Sequence, residues 1–134
     1  MNDWSSENDK NYYYNAFLPA IKSLADKEKQ NEAWNCGNYE KFSDFKEIYI
    51  GFSDASEYVL NSYQYFLLGN VQKEKLQKLY DMVENYDNTI DELDDSGWRK
   101  KKTDKQIYND PKWQEIRKYA QEVYDELKNI KIDT

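Results

Sequence analysis

Histidine is absent from the 134 residues, and cysteine (1), proline (2) and glycine (4) are scarce. Without histidine there is no Ser–His or Cys–His nucleophile, no His-ligated zinc or haem, and no Glu-x-x-His motif of a di-iron bundle. The single cysteine, Cys36, excludes an intrachain disulfide and agrees with a reducing compartment. The glycines form no phosphate-cradling loop. No apolar run approaches the length of a membrane span, and Met1 to Glu7 holds no basic stretch followed by an apolar one. The expectation is a cytoplasmic, non-enzymatic protein with no cofactor, no metal and no membrane contact. Carboxylate-only catalysis needs two acids at a set separation, and among so many acids such pairs arise by chance.

What is present is charge and aromatic mass. Charged residues make up 34% of the chain and aromatics 16%, with 13 Tyr, 5 Phe and 4 Trp. A mean hydropathy of −1.13 alone would suit a disordered chain, but disordered chains are poor in aromatic residues. One folded domain over residues 1–134 is expected, with residues 1–10 frayed. The formal charge of −7 opposes direct nucleic-acid binding, which depends on clustered Lys and Arg, and suits a basic protein partner.

Phe42, Phe45, Tyr49, Phe52, Ser56, Val59, Tyr63 and Phe66 recur in steps of three and four. That spacing predicts a long helix from Asn38 or Ser43 to the stop at Gly69-Asn70, with its aromatic stripe in the core. Gly51 and Ser53-Asp54 leave open a strand over Glu47 to Phe52 with a shorter helix after it. Tyr14, Phe17, Ile21 and Leu24 repeat with helical spacing, so a first helix is expected over Pro19 to Gln30 or from an earlier start, followed by a connection in which Trp34 closes the core and Cys36 is a small buried filler. Leu76, Leu79, Val83 and Tyr86 mark a helix from Val71 to Tyr86 with Asn70 as cap. A long polar connection, 87–109, comes next, with a capping-box turn at Thr89-Ile90-Asp91-Glu92. Asp110 as cap, Pro111 in the first turn, and Trp113, Ile116, Ala120, Val123, Leu127 and Ile130 define the last helix. The fold class is all-α, an antiparallel bundle of about four helices around the long central one, without a sheet.

Two surfaces stand out as candidate partner-binding sites. Opposite the aromatic stripe lies an outward row of Asp44, Glu47, Gly51, Asp54, Tyr58, Asn61 and Tyr65, with Ile50 and Glu57 beside it. Carboxylates suit Lys and Arg on a partner, and tyrosine gives large contact area at small entropic cost. The second is an acidic segment, Asp81, Glu84, Asp87, Asp91, Glu92, Asp94 and Asp95, followed by Trp98 and the basic run Arg99 to Lys102 with Lys105; its candidate contacts are Asp87, Asp91, Glu92, Asp94, Asp95 and Trp98. Its spacing lacks the alternating oxygen ligands, central Gly and distal Glu of an EF-hand. It reads either as a solvated loop folded back on the basic run or as an acidic lip that speeds encounter with a basic partner, with Trp98 as an anchor.

The stretch from Phe42 to Tyr86, Phe-Ser-Asp-Phe-Lys-Glu-Ile-Tyr-Ile-Gly-Phe-Ser-Asp-Ala-Ser-Glu-Tyr-Val-Leu and onward to Tyr-Asp-Met-Val-Glu-Asn-Tyr, resembles the small acidic immunity proteins encoded beside bacterial toxins, such as those of contact-dependent growth inhibition systems. The resemblance covers about a third of the chain and carries no family residue onto a position here. It implies a role: binding and neutralising a cognate toxin domain, often a nuclease. An acidic mimic of nucleic acid, such as a phage-type inhibitor of a DNA-binding enzyme, is the alternative. It requires regularly spaced carboxylates, which the intervening lysines interrupt.

Overall fold

The first helical stretch is shaped by one proline and one aspartate. In the computed structural model, which describes residues 10–62, 66, 68–93 and 99–130, a π-helical turn, Tyr13–Phe17, leads directly into α1 (Leu18–Ala25). The Leu18 amide reaches back five residues to the Tyr13 carbonyl, one position before Pro19, which has no amide to give. Asp26 then leaves helical geometry at ψ 87 and its carboxylate accepts the Lys29 amide at 3.0 Å. It thereby caps a separate short helix, α2 (Lys27–Gln30). The expected single helix from Pro19 to Gln30 is therefore divided, because Asp26 serves better as a cap than as an interior residue.

The break exposes carbonyls that Gln30 takes up. Its Nε2 donates to the Ser23 and Leu24 carbonyls at 2.9 and 2.8 Å, and its Oε1 accepts from Trp113 Nε1 at 3.0 Å and from Arg117 at 3.2 Å. Gln30 is fully buried, and this network is what makes its burial tolerable. A second π-helical turn, Asn31–Asn35, follows, and Gly37 turns the chain at φ 81, where a side chain would be strained. Trp34 is buried as expected, whereas Cys36 is exposed rather than a core filler.

Helix α3 (Phe45–Asn61) opens on Asp44, whose carboxylate accepts the Glu47 amide at 2.9 Å. It passes through Gly51 without a break, so the strand reading of 47–52 does not hold, and it buries Phe45, Phe52, Ala55, Ser56 and Val59. It ends eight residues short of Gly69, since Asn61 and Ser62 propagate a helix weakly. Phe66, expected on the helical stripe, is fully buried beyond the helix end. Gly69 does not stop α3: its φ is −74 and it precedes α4 (Asn70–Thr89), whose first helical residue is Asn70.

The polar connection expected over 87–109 carries structure of its own. Helix α4 extends through Thr89, whose hydroxyl donates to the Tyr86 carbonyl instead of starting a new turn. Strands β1 (Asp91–Leu93) and β2 (Arg99–Lys101) pair antiparallel, Asp91 opposite Lys101 and Glu92 opposite Lys100. One short ladder within an otherwise all-α fold thus corrects the expectation of no sheet. It is anchored by buried Ile90, whose carbonyl accepts the Lys102 amide at 2.9 Å. Helix α5 (Asp104–Tyr108) begins with a complete capping box between Thr103 and Gln106 and buries Ile107. Helix α6 (Pro111–Leu127) starts as the sequence indicates, with the Asp110 carboxylate accepting the Lys112 amide at 3.0 Å.

Side-chain links fix how these helices face one another. Tyr13 and Tyr14 donate to the carbonyls of Leu127 and Ile130, while Gln30 meets Trp113, so the chain from Tyr13 to Gln30 runs opposite to α6. Lys46, Ser53 and Glu57 of α3 meet Asp87, Glu84 and Tyr80 of α4 in reverse order. Helix α1 also packs on α3, and α4 on α6. Trp34, Phe45, Tyr86 and Trp113 form one aromatic cluster, with Phe45 edge-on to Trp113 at 5.2 Å between centroids. Among the described residues no helix is long and apolar enough to cross a membrane.

Candidate binding surface

The approach to α3 forms an open depression of about 680 Å³ lined by Tyr39, Glu40, Lys41, Phe42, Ser43, Asp44, Glu47 and Asp104. Asp104 shapes it: one carboxylate oxygen accepts the Tyr39 hydroxyl at 2.7 Å, and the other faces the Phe45 amide at 3.4 Å. Trp34 Nε1 donates to the Ser43 carbonyl at 2.9 Å and ties the same segment to the core. Four carboxylates thus share the depression with one lysine. Tyr39 is 45% exposed. Desolvation of its hydroxyl, the bond to Asp104 and the charges of Asp104 and Asp44 push its pKa up to about 12.

The row along α3 divides. Asp44, Glu47 and Asp54 are exposed, and Ile50 between them is an apolar side chain 47% exposed. Glu57 is exposed but already accepts the Tyr80 hydroxyl at 2.6 Å. Tyr58 does not face outward: it is half-buried, edge-on to Tyr12 at 4.7 Å and to Phe66 at 5.8 Å. The reason is the early end of α3, which lets Phe66 fold back against this side. Tyr65 lies outside the described residues.

The acidic segment fares differently. Asp87 is half-buried against α3, its Oδ1 3.8 Å from Lys46 Nζ, rather than on a solvated lip. It still belongs to α4, which extends past the expected end at Tyr86. Asp91 and Glu92 lie in β1, so the backbone of the acidic segment pairs with that of the basic run. Asp94, Asp95 and Trp98 lie outside the described residues.

A polar seam between α3 and α4 escaped sequence reasoning. Glu84 accepts from Tyr49 at 2.8 Å and from Ser53 at 2.7 Å, and Lys46 stacks 5.0 Å from the Tyr49 ring centroid. Burial, the Glu84 bond and the surrounding charges raise the Tyr49 pKa. A signal existed: Lys46, Tyr49, Ser53 and Glu57 are themselves helically spaced, as are Tyr80, Glu84 and Asp87. Assigning Tyr49 to the core stripe hid the pattern.

Among the described residues no three His, Cys, Asp or Glu side chains converge as a metal-holding group. The exposed acids Asp44, Glu47 and Asp54, with Glu40 and Asp104 beside them, are instead spread over a surface that can meet several cations of a partner. No family model, no curated protein and no solved structure matches this chain.

Proposed function

We propose that this chain is a cytoplasmic, non-enzymatic binding protein that neutralises a basic partner, in the manner of the immunity proteins its Phe42–Tyr86 segment resembles. Its architecture is read as an antiparallel four-helix bundle in which α3 serves as the central scaffold for the binding face. The observation that carries the reading is the depression lined by Glu40, Asp44, Glu47 and Asp104, continuous along α3 with Ile50 and Asp54. Exposed carboxylates flanking a tyrosine and an isoleucine offer a polar rim and apolar contact, the combination that recognises Lys- and Arg-rich protein surfaces. The nucleic-acid mimic is less favoured, because Ile50 and Gly51 interrupt the carboxylates of the row.

The test is titration calorimetry against a candidate toxin domain taken from the neighbouring reading frame, paired with protection of cells that express it. Binding at submicromolar Kd together with rescue of growth is the expected result. Absence of both would reject the proposal.

A further inference from the structure

Arg117 of α6 is 7% exposed and, among the described residues, makes one hydrogen bond, from its Nη1 to Gln30 Oε1 at 3.2 Å. The Tyr108 ring lies 4.8 Å from its guanidinium carbon and holds the plane in place. A guanidinium carries five N–H donors and stays charged, so donors beyond the Gln30 bond remain for solvent or a ligand on its open side. Among the described residues no carboxylate forms an ion pair with it. Burying a charge without a counter-ion is costly, and the Tyr108 face offsets only part of that cost.

The guanidinium lines a depression of about 540 Å³ together with Lys27, Tyr108, Gln114, Lys118 and Gln121. Three cationic side chains and no acidic one meet there, in a chain that has 26 acidic residues against 19 basic ones. The volume falls within the range of small-molecule sites. Helices α1 and α2 supply one wall and α5 and α6 the other, so the pocket shares no residue with the acidic depression.

We propose that this pocket binds a small oxyanion, a carboxylate or a phosphate, with the remaining Arg117 donors making the central charge-assisted bonds and Lys27 and Lys118 supplying charge at the rim. The planar fork of arginine suits two oxygens of one group, and the Gln114 amide offers a further donor, whereas Gln121 already donates to Asp125 at 3.1 Å.

The experiment follows the Arg117 side-chain N–H resonance and the thermal midpoint while inorganic phosphate, or separately citrate, is added against chloride at matched ionic strength. Saturable shifts at Arg117 and a raised midpoint are expected, because a ligand that binds only the folded state stabilises it. Saturation by phosphate alone assigns a phosphate ligand, by citrate alone a polycarboxylate, and by both an oxyanion site of broader choice. The Lys27→Ala/Lys118→Ala double variant, altered only at exposed positions, should keep the fold and bind at least tenfold more weakly. No saturable shift with either anion, or unchanged affinity in the double variant, overturns the proposal. Neither result bears on partner binding at α3, which rests on different residues.

Discussion

Gln30 is where one side chain holds a helix break closed. Two backbone carbonyls of α1 and two donors of α6 converge on its fully buried side chain. Gln30→Leu keeps the volume but strands all four groups, and each buried unsatisfied group costs ~1–3 kcal/mol. A loss of about 3 kcal/mol or more in urea unfolding is expected, whereas a loss no larger than that of a typical surface substitution would show that the network contributes little. Asp110 is a second such position. Burial alone would raise its pKa, but hydrogen bonds from Tyr86, Lys102 and the Lys112 amide, with the Lys102 charge, hold it below the ordinary value. The folded-state pKa therefore lies under the unfolded one. Its stabilisation is present at neutral pH and is lost as pH falls below about 4 through the folded value. Asp110→Asn, which preserves a good helix cap, should lower the urea midpoint at neutral pH and match the parent protein in acid.

At the scale of elements, the α3–α4 seam joins two helices through neutral tyrosines on carboxylates. The Tyr80 hydroxyl bond to Glu57, with burial and the Glu84 and Glu57 charges, pushes the Tyr80 pKa up to about 12. Because the folded value exceeds the ordinary one of 10.0, this stabilisation is full below that pH and vanishes as pH rises toward 12. Alkaline unfolding followed by helical circular dichroism should therefore be blunted in Tyr80→Phe, and equal pH dependence in variant and parent would refute the coupling. Most helices were legible because their buried residues repeat at helical spacing, and Asp110 announces its cap; Asp44, expected within the helix, instead caps it from outside. The ladder was not, since Asp-Glu-Leu and Arg-Lys-Lys lack any β pattern and pair through backbone and the Ile90 anchor. The exposed acids at Asp44, Glu47 and Asp54 could be counted from the helix phase, while Tyr58 could not, because its surroundings depend on where Phe66 returns. Asp104 and the Arg117 pocket were hidden for a related reason: their partners are distant in sequence.

For the whole molecule, the proposal that a basic partner docks on the α3 face must be separated from attraction by the net charge of −7 as a whole. Glu47→Lys with Asp54→Lys changes the formal charge by +4, from −7 to −3. Glu115→Lys with Glu122→Lys, both exposed on α6, makes the same change elsewhere. Electrostatic steering acts on the association rate and fades as the Debye length shrinks from ~30 Å at 0.01 M salt to ~3 Å at 1 M. If the α3 face receives the partner, stopped-flow mixing at low salt should show association slowed about tenfold by the α3 pair and much less by the α6 pair. The two rates should converge at high salt. Equal slowing by both pairs would mean that only overall charge matters and would remove Glu47 and Asp54 from the binding face.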